Sequence, residues 1–123
     1  METKIMGARD LAFLLSEGAG SISRDEVTIK SGAGKLAPGT LLAQLTADKK
    51  YVAAANGTAD GSQTAKAVLA YAVDATSADA QAVVIARDAE VKTPMLIYGA
   101  TIDDDTKKAA ALAQLAAAHI IAR

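Results

Sequence analysis

The chain has 123 residues, 51% hydrophobic but only 3% aromatic, with a formal net charge of −1, one His and no Cys. Without cysteine there is no disulfide, Cys-ligated zinc or thiol nucleophile, and the scattered Lys and Arg form no basic face for phosphate, so nucleic acid is a poor candidate partner and none is expected. An apolar fraction made mostly of Ala buries little area per residue in a single domain of this size, which points to oligomerisation or docking on a larger partner.

Residues 1 to 30 read as an extended N-terminal arm. The apolar run Leu11 to Leu15 lies between Asp10 and Glu17, far short of the roughly 20 residues of a membrane span and too short for a signal sequence. The chain therefore reads as a soluble cytoplasmic product with no membrane contact. Leu11, Phe13 and Leu15 fall at strand spacing on one face, a stripe suited either to docking or to the core. A Gly- and Ser-rich stretch follows, then Ser23-Arg24-Asp25-Glu26, a charged cluster of recognition rather than catalytic character, and the alternation Val27-Thr28-Ile29-Lys30.

Residues 31 to 123 read as a β-rich domain. Pro38-Gly39 makes a turn into a hairpin of Leu41–Thr46 and Tyr51–Ala55. The polar loop 56–62 separates it from Ala65–Val73, read as one buried central strand because both faces are apolar. A turn at Asp74–Asp79 leads to a strand at Ala82–Ala86, which Asp88–Val91 continues or terminates, and Pro94 closes the region. The strong helix signal comes last. Asp103 is the expected N-cap, three carboxylates suit the positive end of the helix dipole, and the Ala-rich stretch carries the helix to about Ala118. His119 fits a left-handed C-cap, and Ile120-Ile121 returns to a sheet.

Catalytic and ligand chemistry is sparse. His119 is the only imidazole and is better placed to cap a helix than to serve a triad or a metal. Asp103-Asp104-Asp105 lacks the spacing of a calcium loop. Ser31-Gly32-Ala33-Gly34-Lys35 ends in Leu36 and has Ile29 where a phosphate loop needs Gly; Gly18-Ala19-Gly20 has Ser23 where a dinucleotide fingerprint needs its third Gly. Asn56-Gly57-Thr58 matches a glycosylation sequon and is read as a turn. No enzyme activity, cofactor or metal is expected. One other reading stays open: Ala37-Pro38-Gly39-Thr40-Leu41-Leu42-Ala43 has the turn–strand rhythm of a small lipoyl-type carrier domain, with Lys49 or Lys50 as the modifiable amine.

Ser16-Glu17-Gly18, Ser23-Arg24-Asp25-x-Val27-Thr28-Ile29 and Leu36-Ala37-Pro38-Gly39-Thr40-Leu41-Leu42 resemble the bacteriophage head decoration protein D family. The likeness continues through Lys50-Tyr51-Val52, Asp60-Gly61-Ser62-Gln63, Val73-Asp74-Ala75-Thr76, Ala82 to Val91 and the closing Ile120-Ile121-Ala122-Arg123, in family order over most of the chain. It departs at His119, where many relatives have Gly, and near Tyr98-Gly99, where relatives often carry Trp.

The resemblance implies a mainly β protein with short helices, a β-clip-like or incomplete-barrel core, an extended N-terminal arm and one C-terminal helix. It further implies a homotrimer that binds the major capsid protein on the outer surface of the expanded head and stabilises it, present in the host cytoplasm during assembly. The arm would be the anchor, through Arg9, Asp10, Leu11, Phe13, Leu15, Ser16, Glu17, Ser23, Arg24, Val27, Thr28 and Ile29.

Overall fold

The computed structural model describes residues 11–18 and 22–123. In chain order the elements are β1 (Leu14–Glu17), β2 (Arg24–Ile29), β3 (Gly34–Leu36), β4 (Leu41–Gln44), β5 (Tyr51–Ala53), β6 (Ala67–Leu69), β7 (Val73–Ala75), β8 (Ala80–Ile85), β9 (Ala89–Val91), α1 (Asp105–Ala117) and β10 (Ile120–Ala122). A short 3₁₀ turn at Thr93–Met95 contains Pro94. The protein is mainly β with a single α-helix among the described residues, as its sequence suggests.

Five strands close a small barrel in the order β2-β5-β4-β6-β8. Its longest seam is β2 against β8, antiparallel from Arg24↔Ile85 to Ile29↔Ala80, and its thinnest is the single parallel pair Ile29↔Tyr51 between β2 and β5. The period-two alternation of strand side chains sorts the barrel residues into two cores. Ile29, Leu42, Tyr51, Ala67, Leu69, Ala82 and Val84 come from all five strands and pack together in the lumen. Their neighbours Leu41, Ala43, Val68 and Ile85 point outward and are buried beneath a second layer that includes Phe13, Val91, Leu115 and Ile120. A mean side chain as small as Ala can fill so narrow a barrel, which is why low aromatic content does not preclude a core.

The second layer is a three-stranded sheet, β1-β9-β10, with α1 beside it. Strand β1 runs antiparallel to β9, with a bulge between Leu14 and Ser16, and β10 runs parallel to β9. Helix α1 buries Ala111 and Leu115. Its N-cap is Asp104, whose carboxylate accepts from the Lys107 N–H at 2.8 Å, so the cap lies one residue beyond the expected Asp103. At the other end His119 has φ +63°, the left-handed conformation expected of it.

The hairpin of β4 and β5 forms as expected, each strand starting where the sequence places it and ending two residues sooner. Gly39 has φ +95°, and a Cβ there would stand 2.6 Å from the Met95 carbonyl oxygen, so the Pro38-Gly39 turn requires its glycine. Two strand expectations are corrected. Ala65–Val73 is not one strand: Ala70 ends its barrel segment by donating to the Val83 carbonyl and accepting from the Leu11 N–H, and the chain then leaves to pair β7 with β3. Asp88–Val91 does not continue β8, because Asp88 turns at φ +51° and β9 joins the other sheet.

Candidate functional site

The N-terminal segment enters through a turn. Leu11, at φ +62°, accepts from the Leu14 N–H, so strand alternation begins only at Leu14. The expected stripe of Leu11, Phe13 and Leu15 is therefore split. Phe13 is 1% exposed in the outer core, and its carbonyl accepts from the Lys92 N–H, while Leu15 is 47% exposed. Leu15 and Ser16 are the outward-facing residues of β1, and the edge of β1 away from β9 is unpaired among the described residues. Arg9 and Asp10 lie outside the described residues.

From Glu17 to Arg24 the expected site residues converge on one junction. Arg24 grips Glu17 with two nearly parallel bonds, Nε to Oε2 at 2.9 Å and Nη2 to Oε1 at 2.7 Å, and donates from Nη1 to the Tyr71 hydroxyl at 3.1 Å. The hydrogen bond from Arg24 holds the Glu17 carboxyl below its ordinary value of 4.5, against the opposing effect of burial. The same bond holds the guanidinium more firmly protonated. Ser23 is fully buried. Its Oγ accepts from the Gly18 N–H at 2.7 Å and donates to the Asp88 carbonyl at 2.9 Å, tying the end of β1 and the start of β2 to the turn before β9. Ser23, Glu17 and Arg24 thus join β1 to the barrel.

Strand β2, which falls within residues 1 to 30, has a neighbour on each side in the barrel. Ile29 is fully buried in the lumen, Val27 packs half-buried beside it, and the Thr28 hydroxyl accepts from Gln81 Nε2 at 3.0 Å. The physical cause is the length of β8: its six residues pair with all six of β2 and leave no register in which β2 could stay extended and free.

Sequence reasoning missed Tyr71 and Asp88, partners of Arg24 and Ser23. Neither carries a local signal, since each meets its partner across a long loop in sequence. The other candidate groups do structural work: Asp104 caps α1, and Lys50 Nζ is bound to Asp79 Oδ2 at 2.6 Å. Among the described residues, no group of three or more His, Cys, Asp or Glu side chains could hold a metal ion, and no helix is long and apolar enough to cross a membrane. The arrangement is suited to presenting a rigidly backed strand edge.

No curated protein matches the chain. A protein-family model described as bacteriophage lambda head decoration protein D matches residues 3–120, nearly its whole length.

Proposed function

This chain belongs to the bacteriophage lambda head decoration protein D family, whose role is decoration of the phage capsid, and from that premise we propose that it binds the major capsid protein as a homotrimer on the outer surface of the expanded head, and stabilises that state. The family match carries the reading. It acts as a structural protein, reaching the virion from the host cytoplasm during assembly.

The anchor is the N-terminal part of the chain. Residues 1–10 precede the first described residue, and the edge of β1 that is unpaired among the described residues, with Leu15 and Ser16 outward, offers backbone groups to which a strand of the capsid protein adds. Glu17, Ser23 and Arg24 join that edge to the barrel, Leu11 and Phe13 seat the segment against the outer core, and Val27, Thr28 and Ile29 belong to the barrel strand that follows. Three such anchors on one trimer make the later attachments intramolecular, worth about 10²-fold or more in avidity where geometry permits. A ligand that prefers the expanded head stabilises it by that preference. The carrier-domain reading has no observation of its own to favour it.

Light scattering on the purified protein, followed by pelleting with heads taken before and after expansion, tests this. The expected result is a trimer that pellets with expanded heads alone. A monodisperse monomer that pellets with neither contradicts it.

A further inference from the structure

Loop 56–62 contains two steps at which a glycine follows a side chain able to cyclise onto it, Asn56-Gly57 and Asp60-Gly61, and the fold treats them differently. Asp60-Gly61 is pinned. The Asp60 carboxylate accepts from the Ser62 N–H at 3.1 Å and the Ser62 hydroxyl at 2.6 Å, and the Gly61 N–H donates to Gln63 Oε1 at 2.8 Å. Those bonds to Ser62 hold the carboxyl below its ordinary value of 3.8 and fix where it points. A Cβ on Gly61 would stand 2.8 Å from the Thr46 amide nitrogen, so this backbone is packed in place.

Asn56-Gly57 has none of this. Both residues are exposed, and neither the Asn56 side chain nor the Gly57 N–H bonds to any described residue. Nothing lies within 4 Å of where a Gly57 Cβ would be, so the glycine has room to rotate. Asn56 is tied only through its backbone, its N–H donating to Thr101 Oγ1 at 2.8 Å.

We propose that Asn56-Gly57 is a site of spontaneous, water-dependent modification, a slow chemical clock in the exposed loop. The Gly57 backbone nitrogen attacks Asn56 Cγ. An N–Cγ bond forms, the Cγ–Nδ2 bond breaks, and the amide nitrogen leaves as ammonia, carrying the proton lost by the Gly57 nitrogen. Water then opens the cyclic imide. Attack at Cγ gives an aspartate at this position, and attack at the backbone carbonyl gives an isoaspartate, with one methylene added to the main chain. Either product takes the formal charge from −1 to −2. The isoaspartate also shifts the backbone that the Thr101 bond holds. Asn56 is the only asparagine in the chain, so the change is readable on the whole protein.

The test incubates the full-length protein at mildly alkaline pH in water, with intact mass, ion-exchange chromatography and peptide mapping over time. The expected result is a growing fraction that carries one added acid, mapped to residue 56 and mostly isoaspartate, with no isoaspartate at Asp60. The Asn56→Gln variant, whose longer side chain must close a larger ring, should hold its mass and elution over the same period. An Asn56 that stays unmodified, or an Asp60 that isomerises as fast as Asn56 converts, overturns the proposal.

Discussion

Ser23 spends one hydroxyl on two backbone groups, the Gly18 N–H and the Asp88 carbonyl, and no other side chain of its size could both donate and accept there. Ser23→Ala leaves both groups without that partner in a fully buried place, and should lower stability by about 1–3 kcal/mol, read as a lower urea midpoint with an unchanged slope. Arg24 and Glu17 give a pH signature. Because the Glu17 carboxyl titrates below its ordinary 4.5 in the folded protein, its contribution is fully present above that value and is lost as pH falls through the folded one. Arg24→Gln should therefore be destabilised near neutrality, and its urea midpoint should converge on that of the native protein as acid protonates Glu17. A gap that stays constant into acid contradicts the pairing. Sequence reading singled out Ser23 and Arg24 but not what they touch, since Tyr71 and Asp88 are brought to them only by the closure of the barrel.

At the scale of the element, α1 was the most legible. Its Ala-rich body, its acidic start and the left-handed His119 are local properties that need no tertiary knowledge. The cap was displaced by one residue because three aspartates in a row look alike in sequence; only the turn geometry selects Asp104, which reaches the Lys107 N–H. Asp104→Ala should cost about 0.5–2 kcal/mol. Asp103→Ala, which removes only an exposed pair with Lys107 at 3.0 Å, should change the thermal midpoint little. Equal losses would show that general charge, not capping, holds the helix start. The strands were less legible. Nothing in Ala65–Val73 marks Ala70 as the point where the chain quits the barrel, since that is set by bonds to Leu11 and Val83 far away in sequence. The pairing of β2 is not legible in its own residues, because its partner β8 lies more than fifty residues on.

At the scale of the whole molecule, family membership gives the chain's partner its class, a phage capsid. The described structure decides which truncation can test the anchor. A cut at residue 30 would remove β1 and β2, and with them Phe13 from the outer core, Ile29 from the lumen and the longest seam of the barrel. Such a protein would fail to fold, and its failure to bind would mean nothing. A cut after residue 10 leaves every described strand in place. The decisive measurement is therefore co-sedimentation with expanded heads of the full-length protein and of a version lacking residues 1–10, with urea midpoints taken for both. The account predicts matching midpoints, with head binding weakened at least about tenfold by the deletion, a loss of some 1.4 kcal/mol or more. Equal binding by the two proteins would contradict it and place the anchor wholly within the β domain.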